Sequence, residues 1–273
     1  MLQNFDLLPS WLKALGKLIE QNETPQDDVW PWCTTDSTDK FPIGILQRSI
    51  KAVAEPIKGL RLNVLASYST VTEETLAQCP HPAYRACVFV LAFFHAVVQE
   101  RRKYGKVGWN VNYDFNFSDF SVSMRLLENY LAKAHINGDT QIPWDTLRYL
   151  VGEDMYGGRV TDDCDRRVVA TYMEEYLGDF LFDTFQPFHF YQNEESKVSQ
   201  ARGERGKGVD YAIPNQGPRE IYTKAIEALP GIDSQTPEVF GLHPNAEIDY
   251  LTNASKKLWR DLIDLQPRQA ASE

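Results

Sequence analysis

The sequence predicts a mainly α fold, α+β when the whole chain is counted, divided into two unequal parts. Three observations carry this. Apolar residues recur at three- and four-residue spacing through most of the chain beyond Pro56. The strand-like stretches, 29–35 and 49–56, both lie before the helical part begins. The composition, 43% hydrophobic and 24% charged over 273 residues, is that of a globular chain long enough to bury a substantial core.

Each element has its own local signal. Residues 9–21 place Trp11, Leu12, Leu15, Leu18 and Ile19 on one helical face, with Ser10 near the start. Prolines and polar residues fill 23–40 around "VWPWCTT", which reads as an edge strand because Pro31 cannot donate to a ladder on both sides. "SIKAVAEP" alternates weakly and stops at a proline, the pattern of a short strand. "GLRLNVLASY" predicts a short helix, and "HPAYRACVFVLAFFHAVVQERRKYG" a long one closed by a basic turn and Gly105. In "SDFSVSMRLLENYLAKAH", Ser118 and Asp119 are available as caps, and Val122, Leu126, Leu127 and Tyr130 form the apolar face. Pro143 opens "PWDTLRYLVG" at the first helical position, and "TDDCDRRVVATYMEEYLGDFL" follows. A last helix, "NAEIDYLTNASKKLWRDLIDL", carries Ile248, Leu251, Leu258, Leu262 and Ile263 on one side. The polar run 193–209, "NEESKVSQARGERGKGV", cannot offset its own ordering entropy and predicts a mobile loop.

Charge and cysteine usage exclude several functions. A net charge of −10, from 38 acidic and 28 basic residues, gains nothing from counterion release, which argues against a nucleic-acid partner. Cys33, Cys79, Cys87 and Cys164 lack C-x-x-C spacing and follow no signal-like segment. A reducing compartment is therefore expected, where the tripeptide at Asn116 escapes glycosylation. The apolar run 86–98 is shorter than the roughly 20 residues of a membrane span and predicts a buried helix.

The densest group of chemistry-bearing residues is "YGGRVTDDCDRR", 156–167. Gly157 and Gly158 allow a sharp reversal between helices and present Arg159 at the junction; replacing Gly158 by Val is expected to destabilise the fold if Gly158 has positive φ. A guanidinium fixed there can pair with a phosphate or with a carboxylate, and Arg166 and Arg167 add to the same region. Asp162, Asp163 and Asp165 have the oxygens a magnesium ion wants, but helical neighbours point about 100° apart. With Thr161 as cap, Asp162 and Asp163 fall in a first turn and suit its dipole. "GERGKG", 203–208, departs from a phosphate loop at both ends, with Ala201 for the first glycine and Gly208 for the hydroxyl. His95, inside an apolar run, is expected to be a hydrogen-bonded core residue. Trp109, Tyr113, Phe115 and Phe117 are expected to be core aromatics anchoring a loop. No catalytic, cofactor-binding or metal residue is assigned, because no nucleophile, base and orienter fall together.

The stretch 156–167, preceded by "IPWDTLRYLVGEDMYGG", resembles the signature near the C-terminal end of dynein heavy chains. "FPIGILQRSIKAVAEPIKGLR", "FFHAVVQERRKYGKVGWN" and "LPGIDSQTPEVFGLHPNAEI" agree with the same family, so the resemblance runs from about Leu8 to about Arg268. "VTDDCDRR" and "FFHAVVQERRKYG" are closer to the axonemal heavy chains than to the cytoplasmic ones.

The resemblance implies a piece of a very large motor, cut from the end of the sixth AAA+ module of its ring. Residues 1–58 then correspond to a partial α/β subdomain, and 59–268 to the helical AAA+ lid that follows. The family's sixth module does not turn over ATP, so the fragment is expected to hold no cofactor, with ATP and magnesium in other modules. Arg159 sits where AAA+ lids commonly carry a nucleotide-sensing arginine, but a structural role is expected here. Implied partners are the neighbouring modules and the C-terminal domain of the same heavy chain, and microtubules and other dynein subunits through the parent chain. The implied location is the cytoskeleton of the cytoplasm and the axoneme of a cilium or flagellum. Two other classes are weighed against this reading: a free-standing metal-dependent phosphohydrolase using Asp162, Asp163 and Asp165, and a helical adaptor protein. The chain departs from the family pattern at Pro31 and in the loop 193–209.

Overall fold

The computed structural model describes residues 7–21, 32–35, 41–53, 57–139, 141–182, 188–189, 210–211, 217–229, 231–232 and 235–265. They fall into two compact units, Met1–Pro56 and Ile57–Glu273.

The architecture of the second unit follows from one helix, Tyr84–Glu100 (α5). It is apolar around its whole circumference, and a helix of that kind is stable only when covered on every side. All of its residues but Arg85 and Gln99 are buried. Leu60–Ser69 (α3) packs along one side and Phe117–Asn137 (α6) along another; Asp163–Tyr176 (α8) and a 3-10 turn at Pro237–Phe240 also reach it. Glu73–Gln78 (α4) bridges α3 and α5 in the chain. The short helix Trp144–Arg148 (α7) widens into a π-helix, Tyr149–Tyr156, that packs on α6 and α8. Arg219–Glu227 (α9) lies against α3, and Asn245–Asp264 (α10) contacts the 3-10 turn Arg101–Val107 that follows α5.

The ends of these elements show why they stop where they do. At the start of α6 the cap is Asn116 rather than Ser118, and Asp119 returns a carboxylate oxygen to the Asn116 amide at 2.8 Å, a capping box. The helix closes at Gly138, which is left-handed at φ 72 and ψ 23. Its buried face is Phe120, Ser123, Leu127, Leu131 and Ala134, while Val122 is exposed. The long apolar helix gives way to 3-10 geometry at Arg101, and the kink falls at Gly105, φ 56 and ψ −132. Pro143 precedes α7 rather than occupying its first turn. Buried Arg101 then joins distant segments, with Nε donating to the Gly108 carbonyl at 2.6 Å and Nη1 to the Phe240 carbonyl at 2.7 Å.

Three expectations need correction. The stretch 49–53 forms no strand: Ser49 Oγ donates to the Ile45 carbonyl and Lys51 Nζ to the Leu46 carbonyl, which terminates a helix at Ile43–Arg48 (α2). Extended backbone needs a neighbouring ladder to become a strand. Within Trp32–Thr35 the structure has an isolated bridge at Cys33, and Val29–Pro31 lie outside the described residues. Phe117 is exposed, because as the first residue of α6 it faces outward and touches the core through Phe120, ring centroids 5.8 Å apart. The polar run 193–209, with "GERGKG", also lies outside the described residues.

In the first unit, Pro9–Gln21 (α1) contacts α2, with the Ile45 side chain beside Gly16. The β structure of the second unit, among the described residues, is an antiparallel pair, Phe188–His189 (β1) with Asp210–Tyr211 (β2). The chain is therefore mainly α. No helix among the described residues is long and apolar enough to cross a membrane, and the four cysteines are free thiols.

Phe94, 1% exposed, meets Tyr156 edge-on at 4.7 Å and touches Tyr172 and Tyr176 at 6.2 and 6.0 Å. Replacing Phe94 by Ala should cost about 3–5 kcal/mol of unfolding free energy, read from urea midpoints.

Candidate functional site

The segment 156–167 folds as a joint among α6, the π-helix and α8. Its conformation begins at Gly157, the residue after the π-helix, in a 3-10 turn Gly157–Arg159. A Cβ on Gly157 would stand 2.7 Å from the Gly152 carbonyl oxygen, so the widened turn and the next one approach through a site only glycine fits. Gly158 does not meet the condition of positive φ on which a cost of its replacement depends. It is absent from the glycines with positive φ, and a Cβ there would meet open space. The reversal is made by the change from π to 3-10 winding, which needs no left-handed residue.

Arg159 is carried out of this turn toward α6. Its Nε lies 2.9 Å from each oxygen of Asp119, whose side chain is 6% exposed against 41% for Arg159. Asp119 thus serves two purposes, closing the capping box of α6 and receiving the guanidinium. Burial of one partner makes this pair less screened than a surface ion pair, and removal of Arg159 would leave a nearly buried carboxylate supported by a single amide.

The helix start is one residue later than expected. Asp162, not Thr161, is the cap of α8: its Oδ1 accepts the Cys164 and Asp165 amides at 2.9 and 3.0 Å. Aspartate outcompetes threonine here because the same oxygen also accepts Asn110 Nδ2 at 3.0 Å, and that bond, with the Asp165 amide, holds the Asp162 carboxyl below its usual range. The Asp162 amide in turn donates to the Tyr113 hydroxyl at 3.2 Å. Asp165 is 4% exposed and accepts the backbone amides of Asn110 and Val111 at 3.1 and 3.2 Å. Asp163 is exposed in the first turn. Arg166 donates to the Val160 carbonyl at 3.1 Å, and Arg167 is exposed. The loop 109–115 is therefore tied to the start of α8 by two carboxylates, with Trp109, Tyr113 and Phe115 buried beneath it.

His95 closes the lower side of the joint. It is 1% exposed, with Nδ1 2.9 Å from the Tyr156 hydroxyl and Nε2 3.0 Å from Gln99 Nε2, and burial lowers its pKa to about 4. It is a hydrogen-bonded core histidine, as expected. Residue patterns did not reveal Asp119 and Asn110 as the partners of this segment, since both act across more than 39 residues of sequence. For Asp119 there was a local signal, the N-x-x-D spacing of a capping box at 116–119.

Residues 84–246 match the family model described as the dynein heavy chain AAA lid domain, and residues 1–53 match the dynein heavy chain region D6 P-loop domain. The chain belongs to the dynein heavy chain family. It is 58% identical over 268 residues to the dynein-1-alpha heavy chain of the flagellar inner arm I1 complex of Chlamydomonas reinhardtii, covering 98% of this chain. It is 56% identical over 272 residues to human dynein axonemal heavy chain 10, covering all of it, and 42% identical over 270 residues to the Chlamydomonas dynein-1-beta heavy chain. The chain spans about 6% of the length of these relatives. The joint at 156–167 is thus part of a dynein AAA lid. A free-standing phosphohydrolase is not supported: the family match is to a dynein lid, and among the described residues no three His, Cys, Asp or Glu side chains are placed to hold a metal ion.

Two outcomes follow from this geometry. Gly157→Ala should lower Tm while Gly158→Ala leaves it unchanged, in thermal melts followed by circular dichroism. For His95 the folded pKa, about 4, lies below the ordinary 6.5, so its neutral form is the one that folds. Its contribution is complete above about pH 6.5 and declines by at most about 1.4 kcal/mol per unit as pH falls toward 4. Imidazole NMR should find His95 neutral at about pH 5, where an exposed histidine is charged.

Proposed function

We propose that this chain is a non-catalytic structural module of an axonemal dynein motor ring, which passes rigid-body movement from one ring neighbour to the next. The observation that carries the reading is the internal use of every charged group at the joint's core: Arg159 on Asp119, Asp162 on the start of α8, and Asp165 on the 110–111 backbone. Charges spent in this way lock helices together, and packed helices that cannot slide individually move as units. The fully enclosed α5 supports the same reading, since its neighbours share one continuous core.

The parent heavy chain is then an ATP-driven, minus-end-directed microtubule motor working in the axoneme of a cilium or flagellum. ATP and magnesium belong to its other modules, and the module's partners are adjacent AAA+ modules and the C-terminal domain of the same chain. The resemblance to flagellar and axonemal heavy chains over essentially the whole sequence supports this placement.

Purified to homogeneity, the 273-residue chain should neither hydrolyse nor retain ATP. Turnover that disappears in Arg159→Ala or Asp163→Ala would refute the proposal. In the parent heavy chain, Arg159→Ala should lower microtubule-stimulated ATP turnover while leaving nucleotide affinity of the other modules intact, because the defect lies in transmission.

A further inference from the structure

The ammonium of Lys103 sits among three aromatic rings. Its Nζ lies 4.8 Å from the centroid of Tyr104, 5.1 Å from that of Phe240 and 5.8 Å from that of Tyr250. The rings come from three separate elements: the 3-10 turn Arg101–Val107, the 3-10 turn Pro237–Phe240 and α10. They also touch one another, the Tyr104 ring standing 5.8 Å from Phe240 and 5.9 Å from Tyr250 between centroids. Tyr104 and Phe240 are buried, so two walls of this cage belong to the core. The third is carried by α10, whose residues other than Ala246, Glu247 and Tyr250 are exposed.

An ammonium is attracted to the electron-rich face of a ring within about 6 Å, and more strongly where water is kept away. Three faces around one cation add their fields, and Lys103 is half-buried between them. Two carboxylates stand near the cage. Glu247 accepts the Tyr104 hydroxyl at 3.1 Å, and Glu100 is one whose ionised form Lys103 favours against the cost of burial. Neither forms an ion pair with Lys103 among the described residues. Since α10 meets the rest of the unit chiefly through the turn that carries Lys103 and Tyr104, the placement of a 20-residue helix rests on a small contact with one charge at its centre.

We propose that Lys103 is a charge-dependent latch for α10. With the ammonium in the cage the helix is docked on the turn that follows α5. Without the charge it opens as a unit, while the core around α5 stays folded, because segments with few buried contacts open at far lower cost than the whole domain. The lid thereby gains a second state, α10 undocked, that needs no disturbance of its central helix. A lysine with a merely structural role would hold α10 through its aliphatic stem, and a neutral side chain of similar length would serve as well.

The test is hydrogen exchange of the 273-residue chain, read by mass spectrometry at the amides of 245–252, with those of α5 as internal reference. Lys103→Met keeps an unbranched apolar stem and removes the charge, whereas Lys103→Arg keeps a cation that stacks on ring faces. The Met variant should exchange about tenfold faster at the root of α10 with α5 unchanged, and the Arg variant should stay within about threefold of the native chain. Once Tyr250→Leu has removed the ring on α10, Lys103→Met should add less than about threefold. The effect of Lys103→Met should persist in about 1 M sodium chloride, which screens attraction to Glu100 and Glu247. Native-like exchange in the Met variant, an Arg variant as fast as Met, or an undiminished effect of Met beside Tyr250→Leu would each overturn the proposal. So would loss of the effect in salt, or acceleration of α5 in step with α10.

Discussion

Everything in the larger unit depends on the enclosure of α5. A helix apolar on all sides has no stable exposed state, so its burial dictates that other helices be laid around it, and their registry is set by which of its residues they cover. The consequence is a core without a single dominant interface. Phe94 alone touches rings delivered by the π-helix and by α8, while Phe89 touches rings from α3 and α9. Disturbing any one layer is felt by all, because close-packed interiors transmit displacement rather than absorb it.

The polar groups of the joint refine what the core establishes. Nonpolar packing brings α6, the π-helix and α8 together but tolerates small rotations of each; directional bonds do not. Asp119 ties the start of α6 to Arg159, and Asp165 ties the loop at 110–111 to the start of α8. Both carboxylates are nearly buried, so their bonds face little competition from water. That places the strictest geometric control at the segment whose sequence most clearly marks the family.

Helices were legible from the chain wherever periodicity was sustained, as in α1, α3, α5, α6, α8 and α10. Their ends were legible less often, because a cap is a contest between neighbouring residues: Asp162 prevails over Thr161 through Asn110, a residue 52 positions away. The strand expected at 49–56 rested on alternation alone, and alternation says nothing about whether a partner strand is present. The π-helix was hidden because a helix with one extra residue per turn preserves helical composition and only shifts its phase. At the candidate site, glycine content suggested a left-handed turn, whereas the need at Gly157 is for space against the Gly152 carbonyl. Spatial partners such as Asp119 were beyond reach of local patterns, although the order of motifs along the chain was enough to indicate the family.

The last helix, α10, is held near its root, where the Tyr104 hydroxyl donates to Glu247 at 3.1 Å and the Tyr104 ring meets Tyr250, while Ile248 and the apolar residues from Leu251 to Ile263 stand exposed. With 20 residues at 1.5 Å of rise it extends for about 30 Å. A beam clamped at one end magnifies small tilts: beyond Tyr250 about 21 Å of helix remains, so a rotation of roughly 5° at Tyr104 would displace its far end by about 1.8 Å. The apolar stripe beyond Tyr250 is therefore the part of the larger unit whose position its own core controls least.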